Sequence, residues 1–294
     1  MLRSLLFVPG DSEKKLARAE SIPADALILD LEDSVAPENK LIARGLVCEY
    51  LAAHAGEGGR QIWVRINPID QPEAGADLGA VIRGRPDGIV QPKTRSPNDV
   101  ILLGQRIGNY EMEHDFPIGS TRILPVATET PEALFSMGDY VRCDKRLAGL
   151  TWGAEDLSAA VGATSCRDKK GNWLPPYELA RSLCLFAAAA ANVAAIDTVY
   201  TDFRDTEGLA RYAANARRDG FSGMLAIHPA QVESINEAFM PSNEEIDRAT
   251  RIVELFAANP KAGTVGMDGE MIDRPHWVQA KRILDIAERI GSAR

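Results

Sequence analysis

Short runs of apolar residues recur along the chain and predict the strands of a sheet. Most runs are almost continuously Val, Ile and Leu rather than alternating apolar and polar positions. The eight runs span Ser4–Pro9, Ala26–Leu31, Gln61–Asn67, Gly88–Pro92, Arg122–Ala127, Leu147–Gly153, Ala194–Tyr200 and Met224–Pro229. Continuous apolar runs are typical of parallel strands covered on both faces, so the pattern predicts eight buried strands.

Segments with helical character lie between these runs. They span Glu13–Glu20, Glu38–Ala53, Asp77–Arg83, Pro97–Tyr110, Pro131–Asp139, Tyr177–Asn192 and Glu207–Asp219. Ser12 and Ser96 stand where N-cap residues are preferred. Strands that alternate with helices form right-handed βαβ units, and eight such units favour a closed (β/α)₈ TIM barrel. An open doubly wound sheet is the main alternative, but no G-x-G-x-x-G follows the first run.

The last part of the chain has a different pattern. A helix is predicted from about Asn243 to Ala258 with Ser242 as its cap, and a last helix from about Pro275 to Ile290. Between them, Gly263–Met271 predicts a short extended turn. We therefore predict a catalytic barrel over residues 1–240. Residues 241–294 form a C-terminal helical extension that packs on the barrel or on a neighbouring subunit.

Composition and charge exclude some classes of partner. The 294 residues are 45% hydrophobic and 26% charged, which is the balance of a globular protein. The formal net charge is -9 and no basic patch is visible, so a nucleic-acid partner is not expected. The longest apolar stretch, Leu183–Ile196, is too short to span a bilayer, so no membrane partner is expected. The four cysteines form no CxxC pair, which indicates reduced thiols and a cytoplasmic location.

Polar residues follow the predicted strands one after another. In a TIM barrel the chemistry lies at the carboxyl ends of the strands. The residues at those ends include Glu32, Asp33, Arg65, Asn67, Lys93, Glu129, Glu155, Asp156, Asp197 and His228. Carboxylates dominate this rim, and the four histidines are scattered. Oxygen ligands without a His pair favour Mg²⁺, with Mn²⁺ as a possible substitute, over Zn²⁺. Arg65 is suited to hold a substrate carboxylate through two parallel hydrogen bonds.

The same stretches resemble a known family over almost the full length of the chain. They are Arg3–Gly10, Leu29–Val35, Val64–Asn67, Pro92-Lys93, Glu129–Pro131, Gly153–Leu157, Ile196–Tyr200, Ile227–Gln231 and Gly269–Asp273. Each stretch alone is a weak signal, but their order and spacing together are a strong one. The chain resembles the citrate lyase β-subunit-like group of the HpcH/HpaI aldolase family, which includes malyl-CoA and citramalyl-CoA lyases.

The resemblance implies a role for particular residues. Glu129 and Asp156 would bind Mg²⁺, and Arg65 would hold the carboxylate of an oxo acid. Glu32 and Asp33 would contact metal-bound water, with Lys93 beside them. Asp273 would act as the acid/base from the extension of a neighbouring subunit, in a homotrimer or a homohexamer.

The implied reaction is cleavage, or the reverse condensation, of a 3-hydroxyacyl-CoA thioester. The products are an acetyl-CoA-type thioester and a 2-oxo acid, as in citryl-, malyl- or citramalyl-CoA lyases. One departure concerns position 270, where the family often has Lys and this chain has Glu270. Three alternatives stay open: an aldolase acting on free hydroxy-oxo acids, a citrate lyase β subunit that uses an acyl carrier protein, and a non-catalytic relative.

Overall fold

A computed structural model describes residues 2–54 and 59–291. The described residues form two compact units, Leu2–Ala238 and a smaller one that begins at Phe239. Within the described ranges, no helix is both long and apolar enough to cross a membrane.

Eight parallel strands of the first unit form a barrel. They are β1 (Ser4–Pro9), β2 (Ala26–Asp30), β3 (Gln61–Arg65), β4 (Gly88–Gln91), β5 (Arg122–Pro125), β6 (Gly149–Thr151), β7 (Ala194–Asp197) and β8 (Gly223–Ala226). Neighbours pair in sequence order from β1 to β5 and from β6 to β8, and β1 also pairs with β8. Parallel bridges from Ile123 to Leu147 and from Val126 to Thr151 join β5 to β6. The predicted TIM barrel is therefore confirmed.

Helices follow most of the strands. They are α1 (Glu13–Ala19), α2 (Lys40–His54), α3 (Pro72–Val81), α4 (Pro97–Glu113), α5 (Ala154–Ala160), α6 (Pro175–Ala190), α7 (Thr206–Asp219) and α8 (Val232–Ala238). Ser12 caps α1 as predicted, because its side chain accepts a hydrogen bond from the Lys15 N–H. Between β5 and β6 the connection is a 3₁₀ helix, Pro131–Arg142, where the sequence predicted an ordinary helix.

The barrel interior is filled with apolar side chains. Leu5, Ile28, Trp63 and Leu124 belong to one buried cluster in this interior. Trp63 is opposite Gly88 in the register of β3 and β4. A Cβ atom at Gly88 would lie 2.2 Å from the indole ring of Trp63, so only glycine fits there. The packed interior leaves the ends of the strands as the place for polar chemistry.

The second unit has its own small core. It contains α9 (Asn243–Ala258), the antiparallel hairpin of β9 (Thr264–Met267) and β10 (Glu270–Asp273), and α10 (Arg274–Gly291). Asp268 and Gly269 both have positive φ, as the type I′ turn of a two-residue hairpin requires. The extended turn predicted for residues 263–271 is thus a hairpin. The core of the second unit consists of Ala249, Ile252, Phe256, Met267, Ile272 and Ala280.

A buried ion pair fastens the amino-terminal ends of β5 and β6 to α4. The Glu111 carboxylate lies 2.9 Å from Nη1 and 2.6 Å from Nη2 of Arg146. It also accepts hydrogen bonds from the N–H groups of Gly119 and Thr121. Burial opposes ionisation, but these hydrogen bonds and the Arg146 charge lower the pKa of Glu111 to about 2.

We expect Glu111→Gln to destabilise the barrel by about 3–5 kcal/mol, because it leaves Arg146 buried without a counter-charge. Since the pKa of Glu111 is lowered on folding, its contribution is present above the unfolded pKa of about 4.3. The contribution is lost as the pH falls towards about 2. Urea unfolding at several pH values should show a steeper acid loss in the wild type than in the variant. Equal slopes between pH 4.5 and 2 would contradict this assignment.

Candidate active site

A largely buried arginine at the end of β3 anchors the carboxyl end of the barrel. Arg65 pairs with Asp30 in the register of β2 and β3. Its Nε lies 2.7 Å from Asp30 Oδ1 and its Nη2 lies 2.6 Å from Oδ2, which forms a two-point ion pair. Its Nη1 lies 2.9 Å from Glu32 Oε2, and its guanidinium stacks over the Phe7 ring at 4.7 Å. Arg65 is therefore held rigidly, with donors left on the Nη1 and Nη2 groups.

Asp30 is a residue of the site that the sequence reasoning missed. Its side chain is 1% exposed, and it is bound to Arg65 along one whole edge of the guanidinium. Burial opposes its ionisation, but the hydrogen bonds and charge of Arg65 lower the pKa of Asp30 below its usual range. Asp30 thus fixes the direction in which Arg65 presents its free donors.

Glu129 lies deepest among the predicted ligands and is only 6% exposed. The backbone N–H of Lys93, which follows β4, donates to Glu129 Oε2. A Cβ atom at position 153 would lie 2.6 Å from Glu129 Cγ, so Gly153 makes room for this side chain. Burial first, and the nearby carboxylates of Asp156 and Glu32 in addition, raise the pKa of Glu129 to about 8. Additional positive charge is therefore needed to keep Glu129 ionised at neutral pH.

Asp156 comes from the first turn of α5, which the sequence reasoning placed in a loop. Its Oδ1 lies 3.5 Å from Lys93 Nζ, and its side chain is 38% exposed. Asp33 lies 3.0 Å from the same ammonium and is 61% exposed. The neighbouring acid, Glu155, is engaged elsewhere, because Cys166 Sγ contacts its Oε1 at 3.5 Å. The carboxylates of the mouth therefore differ in exposure, from the buried Glu129 through Asp156 to the exposed Asp33.

The structure brings six of the predicted site residues together at one mouth. They are Glu32, Asp33, Arg65, Lys93, Glu129 and Asp156. Among the described residues, no three acidic, His or Cys side chains form a ready-made ligand set. Mg²⁺ commonly takes only one or two protein carboxylates and fills its other positions with water and substrate. A buried carboxylate with a raised pKa beside a half-exposed one fits such an ion.

Asp273, the predicted acid/base, belongs to the second unit. It is the last residue of β10 and precedes α10. Its Oδ1 lies 2.5 Å from His276 Nδ1, and its side chain is 36% exposed. The neighbouring Glu270 forms an ion pair with Arg248 of α9 at 2.6 Å. His276 is a partner of Asp273 that the sequence reasoning did not consider, although its spacing of three residues places it within reach.

Comparison with known proteins gives the family. Residues 3–229 match the family described as HpcH/HpaI aldolase/citrate lyase. The chain is 35% identical over 288 residues to citrate lyase subunit beta of Haemophilus influenzae, covering 97% of each chain. It is 33% identical over 294 residues to a (3S)-malyl-CoA thioesterase of Cereibacter sphaeroides, covering 99% of this chain and 96% of that one.

A solved structure gives the same result in three dimensions. The protein CitE from Mycobacterium tuberculosis, in complex with magnesium, acetoacetate and coenzyme A, superposes with a TM-score of 0.80 at 30% identity. The match covers 97% of this chain and 98% of that one. The resemblance inferred from the motifs is thus confirmed. The chain belongs to the HpcH/HpaI aldolase/citrate lyase family.

Proposed function

We propose that this protein is a Mg²⁺-dependent carbon–carbon lyase acting on a 3-hydroxyacyl-CoA thioester. The substrate carries a carboxylate on its hydroxyl carbon, and the products are a 2-oxo acid and a shorter acyl-CoA. One observation carries the proposal: Glu129, Asp156 and the fixed guanidinium of Arg65 converge on one barrel mouth. The CitE structure with magnesium, acetoacetate and coenzyme A supports the same class of ligands.

The reaction balances without a co-reactant. The hydroxyl proton leaves, the oxygen electron pair forms the new C=O bond, and the bond between the hydroxyl carbon and the thioester α-carbon breaks. The electron pair from that bond becomes a thioester enolate, which takes up one proton at carbon. In reverse, the enolate attacks the oxo acid in a Claisen-type condensation.

The residues of the mouth bind and orient the oxo-acid end of the substrate. Arg65 offers its remaining donors to the substrate carboxylate, while Asp30 and Glu32 hold the guanidinium in place. Glu129 and Asp156 would hold Mg²⁺, or Mn²⁺ in its place. When bound, the ion supplies Lewis-acid stabilisation of the alkoxide, worth several kcal/mol. Asp33, which is exposed beside Lys93, would contact water bound to the ion.

Removal of the metal should remove activity. We expect dialysis against EDTA to lower turnover by at least about 10³-fold, since several kcal/mol of alkoxide stabilisation are lost. Adding Mg²⁺ or Mn²⁺ should restore the rate. The assay follows the 2-oxo acid with a carbonyl reagent, and elemental analysis confirms that the treated protein is metal-free. Full turnover by verified metal-free protein would contradict the proposal.

We propose that Asp273 supplies a proton to the enolate carbon, and takes it in the reverse direction, from the extension of a neighbouring subunit in a homotrimer or homohexamer. The Asp273 side chain is partly exposed within its own unit. General acid/base catalysis by one side chain typically contributes about 10²–10⁴-fold to the rate. The proposal gives Asp273 no part in metal binding.

Mixing two inactive variants tests this arrangement. Asp273→Asn should lower kcat by about 10²–10⁴-fold while Mg²⁺ affinity stays unchanged. Co-refolding it with Glu129→Gln subunits should recover part of the activity, because some sites would then combine an intact mouth with an intact Asp273. Each variant refolded alone is the control. If the mixture stays inactive although mass spectrometry shows mixed oligomers, Asp273 acts within its own subunit or not at all.

Thioester hydrolysis is a second candidate function, because one relative is a (3S)-malyl-CoA thioesterase. A second relative is a citrate lyase subunit, which favours a test with a thioester on an acyl carrier protein. Product analysis separates these possibilities. Lyase action gives an oxo acid and keeps the thioester, whereas hydrolysis gives a free thiol and no oxo acid. An aldolase would instead cleave a free hydroxy-oxo acid and would need no thioester.

We further propose a reducing, cytoplasmic environment. Cys48, Cys143, Cys166 and Cys184 are all free thiols. Burial raises the pKa of Cys184, which keeps it protonated and unreactive. Thiols of this kind are usual in compartments where disulfides are kept reduced.

A further inference from the structure

Lys93 holds an unusual backbone conformation at the centre of the mouth. Its φ is +49°, in the left-handed region that side-chain-bearing residues rarely adopt. Such conformations persist where the surrounding structure requires them, and they often occur at functional sites. In this conformation the backbone N–H of Lys93 donates to Glu129 Oε2. The backbone of Lys93 thus fixes the most buried of the proposed metal ligands.

The side chain of the same residue reaches three further carboxylates. Its ammonium contacts Glu32 Oε1, lies 3.0 Å from Asp33 Oδ2 and lies 3.5 Å from Asp156 Oδ1. Glu32 and Asp33 follow β2, whereas Asp156 lies in the first turn of α5 on the other side of the mouth. One ammonium therefore ties together acids from two distant parts of the barrel. It is 31% exposed and so faces a partly open space.

Negative charges outnumber positive charges around the Lys93 ammonium. Four carboxyl groups contact Lys93, and Asp30 is held by Arg65 beside them. Arg65 and Lys93 act on these carboxyl groups directly, and the Lys40 ammonium lies 2.8 Å from the backbone carbonyl of Glu32. A divalent ion held by Glu129 and Asp156 would share Asp156 with the ammonium. Two like charges on one carboxylate repel each other, and at partly buried sites such repulsion is substantial.

We propose that Lys93 is a positioning residue that limits the affinity of the site for its divalent ion. Its backbone N–H orients Glu129, and its ammonium holds Glu32 and Asp33 while competing with the ion for Asp156. A lyase must release its oxo acid after each turnover, and moderate affinity for the metal ion would favour that release. This inference rests on the proposed metal site and adds a role for the chain's own cation at that site.

The test measures metal binding directly. Titration calorimetry with Mg²⁺, and then Mn²⁺, compares the wild type with Lys93→Met, which keeps a long side chain without the charge. We expect the variant to bind both ions at least about tenfold more tightly, because the charge that repels the ion at Asp156 is removed. The opposing effect is smaller, since the ammonium contributes less than burial, the Lys93 N–H and the nearby carboxylates to the pKa of Glu129. Lys93→Gln is a second uncharged variant should Lys93→Met fold poorly. Unchanged or weaker binding in a folded variant would overturn the proposal and leave Lys93 as an ordinary partner of the acidic rim.

Lys145→Met is the matched control. Lys145 is exposed and precedes β6, at the opposite end of the barrel from the mouth. The Lys145→Met variant loses the same formal charge as Lys93→Met, but far from the mouth. Its metal affinity should therefore stay within about twofold of that of the wild type. Equal tightening in both variants would show an effect of net charge and would also overturn the proposal.

The backbone part of the inference has its own test. Glycine adopts positive φ without the cost that a Cβ atom imposes, so Lys93→Gly should melt at a higher temperature than Lys93→Ala. A lower melting temperature for the glycine variant would contradict the backbone role. Failure of the metal site itself would appear differently, since wild-type protein would then show no Mg²⁺ binding at all.

Discussion

Glu129→Gln is expected to abolish Mg²⁺ binding and to lower kcat/KM by at least about 10³-fold, because several kcal/mol of alkoxide stabilisation would be lost with the ion. The substitution keeps the shape and removes the charge of the deepest carboxylate in the mouth. Gln can still accept the hydrogen bond from the Lys93 N–H. The fold should therefore survive, and calorimetry with Mg²⁺ can be run on folded protein.

Two comparisons make this result specific. Glu132→Gln alters an exposed acid three residues further on and should leave both metal binding and turnover unchanged. Asp156→Asn should have a smaller effect on metal affinity than Glu129→Gln, because Asp156 is half-exposed and water can replace part of its contribution. Mg²⁺-dependent turnover retained in Glu129→Gln would defeat the metal assignment.

The barrel was predictable because its strands are buried on both faces. Every residue of β2 is buried, and the predicted run Ala26–Leu31 contains the whole strand. β6 is only three residues long, Gly149–Thr151, yet the apolar run around it still marked its place. Burial of the flanking residues in the core extends the sequence signal beyond the hydrogen-bonded part of a strand.

The helix boundaries were less predictable, for reasons that can be named. α3 begins at Pro72, five residues before its predicted start, because Pro at a first helical position and Gly75 hid the beginning of the helix. α5 was missed because it has seven residues and begins directly after the strand-end motif. The tighter winding of Pro131–Arg142 has no clear sequence signal.

The grouping of the site could be predicted from the strand-end rule, but its internal contacts could not. The family resemblance and the rim pattern together named Arg65, Glu129 and Asp156. Asp30 required the register, because only the pairing of β2 with β3 places it opposite Arg65. Alternation along β2 does put Asp30 on the same side as Ile28, which fills the barrel interior. A charged residue on the interior side of a strand needs an oppositely charged or hydrogen-bonding partner. The sequence therefore contained the information that Asp30 belongs to the site, although the prediction did not use it.

Arg65 carries the second large effect. We expect Arg65→Lys to lower kcat/KM by about 10²–10³-fold, the usual cost of losing a fixed donor to a developing or bound oxyanion. A lysine keeps the charge beside Asp30 but has no planar fork, so it cannot bind Asp30 along one edge and a substrate carboxylate along another. Calorimetry with the free oxo acid in the presence of Mg²⁺ should show weakened binding. Metal affinity itself should change little.

Arg44→Lys separates this role from a structural one. Arg44 Nε lies 2.6 Å from Asp77 Oδ1, with side chains 16% and 0% exposed, against 15% and 1% for Arg65 and Asp30. The two pairs are thus matched in burial, although Arg44 contacts its carboxylate through Nε alone, and the Arg44 pair joins α2 to α3. Both variants should lose stability to a similar extent. Only Arg65→Lys should lose oxo-acid binding, because only the Arg65 guanidinium, which Asp30 orients, faces the mouth. Equal losses of activity per folded molecule would reduce Arg65 to a structural ion pair.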